Sequence, residues 1–329
     1  NLFASYGEGS PHLCFGGHTD VVPVGNSASW TNDPFDAVIK DGNLYGRGTA
    51  DMKSAIAAFT AAANNFINAG DFKGTLSLLI TNDEEGPAIN GTQKVLEALT
   101  KNGEKIDSCI VGEPTCPTQL GDMIKIGRRG SLTTNISITG IQGHVAYPQW
   151  TLNPIDALTK VLGKIVDLKL DEGTDDFPPS NIEIVKIDAD NTADNVVPQS
   201  ATAQINIRYN ILQTEDGLIK LLKEMTEQEL VGTEYTSDIE FRNSAQPFLT
   251  KESNFTKQIK EAVDDVTGLN SEFSTTGGTS DARFFKDYCE VAEFGLVGSS
   301  AHQVDEHVAV KDIENLSKIY EEIIKKYFS

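Results

Sequence analysis

Residues 17–23 read GHTDVVP, and this stretch constrains the fold more than any other part of the chain. It follows the apolar run Leu13-Cys14-Phe15, which predicts a short buried strand that ends near His18. Asp20 would lie on the same side of the chain as His18 and could accept a hydrogen bond from its imidazole. Because open α/β sheets place functional groups at the carboxyl ends of strands, the stretch predicts an α/β domain with His18 in its site. The alternative is a capping histidine beside a turn aspartate.

Four further side chains of metal-ligand type follow predicted strands or precede a predicted helix. In chain order they are Asp51 before a helix, Glu85 after the apolar run 75–81, Glu113 after 108–111, and His302 after a strand near 291–294. Taken singly, Asp51 could be a helix N-cap, and the acidic triplet 83–85 could be a solvated turn. The three carboxylates of the triplet would repel one another without a cation, and bound zinc would remove the free-energy cost of that repulsion. Together with His18, these residues suit two zinc ions bridged by one carboxylate and one water, so the sequence predicts a metallohydrolase.

Composition narrows the classes of partner. The 329 residues carry a formal charge of −21, which disfavours binding to nucleic acids or to anionic membranes. The same acidity leads us to expect a cytosolic protein. The chain has no run of about 18 apolar residues, which argues against a transmembrane helix. The four cysteines form no C-x-x-C pair, so we expect reduced structural thiols, with Cys14 and Cys109 buried. Because Asn1 to Ala4 has the character of a strand interior, we expect a fragment that lacks an N-terminal segment.

The chain divides into a discontinuous α/β domain, 1–129 and 243–329, and an inserted domain, 130–242. In the α/β domain, apolar strands alternate with helices, which predicts a sheet covered on both faces. The inserted domain has the order β-α-β-β-α-β of ferredoxin-like folds. Its predicted elements are strands 132–139, 182–187, 201–209 and 235–242, a helix that opens with Asn153-Pro154, and a second helix over 214–230.

Three other histidines are distinguished by their surroundings. His12 and His307 lie beside polar or charged residues, and we predict that both are at the surface. His144 lies in GHVAYP, residues 143–148, directly after a strand of the inserted domain. For His144, a simple loop position and a functional position remain equally open.

Arginines are few, and three of them, Arg128, Arg129 and Arg208, are candidates for binding substrate carboxylates. The alternative for each is an ordinary ion pair with one of the many acids. The segment 277–281, GGTSD, precedes a helix and could bind an anion through backbone N–H groups.

Eight phrases distributed over almost the whole chain resemble the co-catalytic zinc aminoacylase and carboxypeptidase family. They are GHTDVVP (17–23), GRGTADMK (46–53), ITNDEEGPAINGT (80–92), VGEPT (111–115), GDMIKIGRRGSL (121–132), QGHVAYP (142–148), GGTSDARF (277–284) and the segment around His302. The resemblance implies a zinc-exopeptidase-like catalytic domain with an inserted ferredoxin-like dimerisation and lid domain. It also implies that about 50 N-terminal residues of the family's catalytic domain are absent from this sequence.

The resemblance further implies two Zn²⁺ ions per subunit, with Co²⁺ able to substitute. The implied ligands are His18 and Glu113 for one ion, Glu85 and His302 for the other, and Asp51 as the bridge. A cis peptide bond would join Asp51 to Met52. Glu84 would be the general base, Asp20 would orient His18, and His144 would reach across a homodimer into the partner's site as an oxyanion donor. The implied substrate contacts are Arg128, Ser131, Asn195, Arg208, Gly278 and Thr279.

Within the family, the phrases GRRGSL, QGHVAYP and GGTSDARF are most similar to enzymes that hydrolyse N-succinyl-L,L-2,6-diaminopimelate. We therefore expect a small dicarboxylic N-acyl amino acid as substrate, hydrolysed in lysine and diaminopimelate biosynthesis. The nearest alternative is an acetylornithine deacetylase or a related aminoacylase. A metal-binding or peptide-binding homologue without catalysis is the alternative from another functional class.

Overall fold

The computed structural model of the protein describes residues 1–329, which form two compact units. The strands are β1 (Leu2–Glu8), β2 (His12–His18), β3 (Val38–Lys40), β4 (Asn43–Tyr45), β5 (Gly74–Thr81), β6 (Ser108–Val111), β7 (Met123–Lys125), β8 (Gly127–Arg128), β9 (Gly130–Thr139), β10 (Gly143–His144), β11 (Asn181–Asp188), β12 (Val196–Val197), β13 (Ser200–Tyr209), β14 (Thr236–Ala245), β15 (Phe248–Leu249), β16 (Glu272–Ser274), β17 (Glu290–Glu293) and β18 (His307–Ala309). The helices are α1 (Ser54–Ala69), α2 (Thr92–Lys101), α3 (Pro154–Val166), α4 (Glu215–Leu230), α5 (Asn254–Thr267), α6 (Ala282–Phe285) and α7 (Val310–Tyr327).

The first unit comprises residues 1–127, 249–275 and 280–329 and is built on a seven-stranded sheet. The strand order is β1-β5-β2-β6-β17-β7-β16, in which β5, β2, β6 and β17 run parallel. β1 pairs antiparallel with β5, and β7 pairs antiparallel with β17. A smaller sheet, β18-β4-β3, completes the unit. The predicted α/β class is confirmed, and four parallel strands carry their carboxyl ends to one edge.

The core of this unit packs helices against both faces of the sheet. On one face Phe15 of β2 stacks on Phe59 of α1 at 4.3 Å between ring centroids, and Tyr320 of α7 meets both rings edge to face. Each of these rings is fully buried, which stabilises the fold by about 1.5–3 kcal/mol per side chain. This packing leaves no room for a side chain at Gly16 or Gly17, the two residues before His18. A Cβ at Gly17 would lie 2.9 Å from Met52 Cε, and one at Gly16 would lie 2.8 Å from Phe285 Cε2 of α6 on the opposite face.

The second unit comprises residues 128–248 and 276–279, a wider division than the predicted 130–242. Its antiparallel sheet has the order β11-β13-β9-β14, and the chain order β9-α3-β11-β13-α4-β14 is ferredoxin-like. Alternate residues of β9 and β13 are buried against α3 and α4. The Asn153 side chain accepts from Ile155 N and caps α3, with Pro154 as the first helical residue, as the sequence predicts.

Two minor expectations have different outcomes. Cys14 and Cys109 are fully buried free thiols, as predicted. The surface position predicted for His12 is wrong, because β2 already begins at His12 and carries it into the sheet with an exposure of 3%. Its ring nitrogens form hydrogen bonds with Lys105 O at 2.9 Å and Ser77 Oγ at 2.8 Å.

His307 is half-buried, with its ring centred 4.9 Å from that of Tyr45. None of the helices combines the length and the apolar composition that crossing a membrane requires.

Candidate metal centre

The predicted ligands converge at the carboxyl edge of the large sheet. His18 is the last residue of β2 and is in register with Thr81, the last residue of β5. Glu85 lies four residues beyond β5, and Glu113 lies two residues beyond β6, the other neighbour of β2. Because these three strands are adjacent and parallel, their ends deliver side chains to a common point. The loop after β17, the next strand in the sheet, carries His302.

Asp51 comes from an irregular turn, not from a helix. The Ala-rich stretch 52–68 predicts a helix that starts at Met52, but α1 begins at Ser54, and Asp51 has φ −125° and ψ 95°. The peptide bond between Asp51 and Met52 is cis, as the resemblance implies. The predicted helix start is therefore two residues early, since Asp51 and Met52 take non-helical backbone angles.

The Asp51 carboxylate lies between two imidazoles. Its Oδ1 is 3.1 Å from His18 Nε2, and its Oδ2 is 3.2 Å from His302 Nε2. On the first side, Glu113 Oε1 is 3.6 Å from His18 Nε2. On the second, Glu85 Oε1 is 3.0 Å from His302 Nε2. Each Asp51 oxygen thus belongs to a set of one imidazole and one glutamate, an arrangement that matches two metal ions sharing a bridging carboxylate.

Other contacts support this interpretation. His18 Nδ1 is 3.0 Å from the backbone oxygen of Asp20 and 3.6 Å from its Oδ1, so the opposite nitrogen, Nε2, faces the acids. Asp20 Oδ2 accepts a hydrogen bond from Glu85 N at 2.9 Å. Glu113 Oε1 is buried yet makes no hydrogen bond. Such an oxygen is costly unless a cation binds it, so the residues fit a metal centre.

Without a bound cation, the negative charge of the clustered carboxylates is reduced only by protons held on groups of the cluster. Hydrogen bonds to Asp51 and Glu85 raise the pKa of His302 to about 10. Burial, with the nearby charge of Asp51, raises the pKa of Glu113 to about 7. Metal ligands must be neutral imidazoles and ionised carboxylates, so binding divalent cations would release these protons.

Glu84 has different neighbours from Glu85: one of its carboxylate oxygens lies within 4.8 Å of ligand atoms of His18 and Glu113. Burial first, and then the charges of Glu113 and Asp281, raise the pKa of Glu84 to about 9. Arg283 Nη1 lies 3.9 Å from Glu84 Oε1. A buried carboxylate with a raised pKa beside a ligand cluster has the position and proton affinity of a general acid–base group.

Sequence reasoning assigned no role to Asp281 and Arg283, although both lie in the phrase GGTSDARF. Asp281 is buried and accepts from Thr92 Oγ1 at 2.5 Å and Thr81 Oγ1 at 3.3 Å. Arg283 is also buried, with its guanidinium carbon 4.7 Å from the ring centre of Phe284. The only signal in the sequence was a pair of charged residues at alternate positions after two glycines. This pattern does not distinguish buried charges from surface charges, and the burial of both residues is visible only in the folded chain.

The predicted residues of the second unit form two separate groups. In the first, His144 of β10 is in register with Val196 of β12, and Val145 N donates to Asn195 O at 3.1 Å. His144 is exposed, and its Nδ1 accepts a hydrogen bond from Ala146 N at 3.1 Å. A neutral ring that accepts at Nδ1 carries its proton on Nε2, which is then a free donor.

The second group contains the arginines. Arg208 on β13 is in register with both Ser131 on β9 and Asn181 on β11. Arg129 Nη1 donates to Asn181 Oδ1 at 2.8 Å, while its Nε is buried without a hydrogen-bond partner. Burial and the neighbouring positive charge of Arg208 lower the pKa of Arg129. Two guanidinium groups that repel each other in a partly buried place are suited to binding an anion.

Arg128 has a different environment from that of Arg129. Its side chain is buried and donates from Nη1 to Thr276 O at 3.2 Å. A Cβ at Gly277 would lie 2.7 Å from Arg128 Nη1, so the glycine leaves room for the guanidinium. Arg128 thus anchors the segment that carries Gly278 and Thr279.

The sequence matches known proteins over its full length. A family model described as peptidase family M20/M25/M40 covers residues 14–326. The chain is 53% identical to the succinyl-diaminopimelate desuccinylase of Beijerinckia indica, over 100% of this chain and 86% of that protein. It is 50% identical to the enzyme of that name from Parvibaculum lavamentivorans, over 100% of this chain and 83% of that protein.

Solved structures show the same fold at lower identity. An M20 family metallo-carboxypeptidase from Sulfolobus solfataricus has a TM-score of 0.83 at 20% identity, over 99% of this chain and 87% of that one. A Bacillus subtilis protein described as a dinuclear metal binding peptidase of the M20 family has a TM-score of 0.72 at 16% identity, over 99% and 85% of the two chains.

Proposed function

Since the chain belongs to peptidase family M20/M25/M40, we propose that it is a metal-dependent amide hydrolase that cleaves N-succinyl-L,L-2,6-diaminopimelate. The products are succinate and L,L-diaminopimelate, a precursor in lysine and meso-diaminopimelate biosynthesis. The observation that carries the proposal is the Asp51 carboxylate between two imidazoles, with Glu84 beside it. Identity of 48–53% to proteins named succinyl-diaminopimelate desuccinylase supports the choice of substrate. A cytosolic location stays a prediction.

The ligand cluster would hold two Zn²⁺ ions, with Co²⁺ able to substitute. The proposed ligands are His18 and Glu113 for the first ion, His302 and Glu85 for the second, and Asp51 for both. When bound, the ions would supply Lewis-acid activation of the amide carbonyl and would lower the pKa of a water molecule toward about 7. Asp20 would hold the His18 ring through the contacts to Nδ1.

Glu84 would take the proton from the attacking water and return it to the leaving amine. Burial alone would keep Glu84 protonated near neutral pH, so its use as a base depends on the positive charge of the bound cations, whereas its use as an acid depends on a proton affinity well above that of an exposed glutamate. Burial of Glu84 supplies the high proton affinity, and Arg283 at 3.9 Å favours the ionised form. Although Glu84 and Glu85 are adjacent in sequence, Glu84 lies beside Arg283 and Glu85 beside His302, which favours different roles for the two carboxylates.

A substrate with several carboxylates explains cationic groups in an acidic protein. We assign carboxylate binding first to Arg129 and Arg208, since neither forms an ion pair within the chain, with Ser131 as the neighbouring hydroxyl. Arg128, Asn195, Gly278 and Thr279 stay predicted contacts. Arg128 would act through the segment 276–279, to which its side chain donates.

His144 would serve a second subunit. The exposed imidazole presents Nε2–H as a donor, which is the group that an oxyanion requires. We propose a homodimer formed through the inserted domain, in which His144 completes the partner's site.

The decisive experiment compares substrates. We expect kcat/KM for N-succinyl-L,L-diaminopimelate to exceed that for N-acetylornithine. The variant Arg208→Met should lower kcat/KM about 10- to 100-fold for the succinylated substrate, the loss expected for one charge-assisted contact. For the acetylated substrate, which has two carboxylates fewer, the loss should be smaller. A preference for N-acetylornithine would identify an aminoacylase instead, and bound zinc without any amidase turnover would identify a non-catalytic homologue.

A further inference from the structure

Glu306 is a fully enclosed carboxylate near the ligand cluster. It is fully buried, although its neighbours in sequence, Asp305 and His307, give the segment the look of a charged surface loop. Burying an ionised carboxylate is costly unless hydrogen bonds replace the lost water.

Four donors converge on the Glu306 carboxylate. Its Oε2 accepts from Arg47 Nη1 at 2.7 Å and from Gly48 N at 3.0 Å. Its Oε1 accepts from Ala50 N at 2.9 Å and from Asp51 N at 3.1 Å. Each oxygen thus has two donors, and three of the four are backbone amides of one loop, residues 46–51.

The backbone of Glu306 holds the same loop. Gly46 N donates to Glu306 O at 2.9 Å, so the first residue of the loop is tied as well as the last. The last is Asp51, whose carboxylate lies between His18 and His302. Glu306 therefore fixes the position of the Asp51 backbone, from which the ligand side chain extends.

Glu306 also belongs to the loop that carries His302, residues 299–307. Ser300 Oγ donates to His307 O at 2.6 Å and accepts from His307 N at 3.1 Å, which closes this loop. His302 has φ 63°, a left-handed conformation that a residue with a Cβ keeps only when its surroundings hold it. Glu306 thus joins the loop of one ligand to the loop of another.

We propose that Glu306, held by Arg47, is a positioning residue that sets the distance and orientation between Asp51 and His302. The inference rests on the proposed function, because it assigns Asp51 as the bridging ligand. Its consequence is that the carboxylate controls metal affinity without touching metal or substrate. A glutamine cannot replace it, because one amide oxygen cannot serve four donors on two sides, and its NH₂ group would face two of them.

The test measures metal binding by the demetallated full chain, independently of any substrate. Titration with Co²⁺, followed by calorimetry and by the visible absorption of the bound ion, should show affinity about 10- to 100-fold weaker in Glu306→Gln than in wild type. At saturating metal, kcat should fall by a similar factor while KM stays within about twofold. Since the titration needs no substrate, an error in the assigned substrate would leave this result unchanged.

The control is Asp107→Asn, which removes another backbone-clamping carboxylate at the opposite end of the same sheet. Asp107 accepts from Ser10 Oγ at 2.8 Å and His12 N at 3.0 Å. We expect this variant to lose thermal stability but to keep wild-type metal affinity. If Glu306→Gln loses stability like the control and also keeps its metal affinity, the proposal is wrong.

Arg47→Met keeps the inference testable if Glu306→Gln does not fold. It leaves the Glu306 carboxylate and its three amide contacts in place and removes one donor. We expect metal affinity to weaken by a smaller factor, about threefold to tenfold. Unchanged affinity and an unchanged Co²⁺ spectrum in a folded Arg47→Met would also overturn the proposal.

Discussion

At the scale of single residues, adjacent glutamates acquire different chemistry from their contacts. Glu85 Oε1 lies 3.0 Å from His302 Nε2, whereas Glu84 Oε1 lies 3.9 Å from Arg283 Nη1. The residue type is the same and the positions differ by one. Contact with the His302 imidazole makes Glu85 a ligand candidate. Burial and a raised pKa make Glu84, which also lies near His18 and Glu113, a candidate base.

This difference predicts separable effects of two substitutions. Glu84→Gln keeps the size of the side chain and removes its proton affinity, so turnover should fall by about 10²–10⁴-fold while two metal ions per chain remain bound. His302→Ala removes a ligand, so it should lose metal as well as activity. Metal content by atomic emission and kcat on the same preparations distinguish the two.

Near-wild-type turnover in Glu84→Gln would show that another group is the base. Unchanged metal content and affinity in His302→Ala would remove His302 from the ligand set.

At the scale of secondary-structure elements, the loop between α3 and β11 depends on one carboxylate. Asp171 Oδ1 accepts from Gly173 N at 2.9 Å, Ser180 N at 3.1 Å and Asn210 Nδ2 at 2.7 Å. Oδ2 accepts from Gln213 Nε2 at 3.2 Å. These contacts fasten both ends of the loop to the segment between β13 and α4.

The stability of this loop should depend on pH in the acidic range. Burial opposes ionisation of Asp171, but the hydrogen bonds from Ser180, Asn210 and Gly173 outweigh it and lower its pKa to about 2. A carboxyl with a depressed folded pKa adds stability above its unfolded pKa, which is near 3.8. That stability is lost as the pH falls from about 4 to about 2.

Urea unfolding at several pH values tests this expectation with Asp171→Asn. The variant should be less stable than wild type at pH 7, and the difference should shrink as the pH falls toward about 2. The exposed acid Glu183, changed to Gln, is the control and should alter stability by less than about 0.5 kcal/mol. A stability difference between wild type and Asp171→Asn that does not change with pH would contradict the pKa assignment.

At the scale of the whole molecule, the functional residues belong to two compact units. The ligand cluster and Glu84 lie in the first unit, while His144, Arg129 and Arg208 lie in the second. The proposed dimer makes His144 of one subunit serve the cluster of the other. An active site is then shared between two chains.

Subunit mixing tests the shared site. Glu84→Gln and His144→Ala should each be nearly inactive, and a mixed dimer should contain one site with both residues intact. After random exchange, about one quarter of the sites should recover activity. Exchange verified by mass spectrometry with no recovery of activity would show that His144 acts within its own chain or not at all.

The fold and most of the candidate centre were accessible from the sequence, because they depend on short-range patterns. Apolar runs that end in His18, in 83–85 and in Glu113 predict parallel strands, and such strands present their ends at one edge. The order β-α-β-β-α-β follows from periodicity and from local signals such as the Asn153 cap. Motif resemblance then supplied the pairing of ligands, which no local pattern contains.

Tertiary structure alone decided which of the remaining polar residues are buried and what they contact. His12 and Glu306 both lie in polar stretches, yet they are 3% and 0% exposed because a strand and a loop fold over them. The Glu306 carboxylate meets Asp51 N across 255 residues of chain, a separation over which no sequence period extends. The sequence by itself determined the strands and the residue types at their ends. The folded chain decided the environment of each charge, because burial and partners are properties of segments that meet only in space.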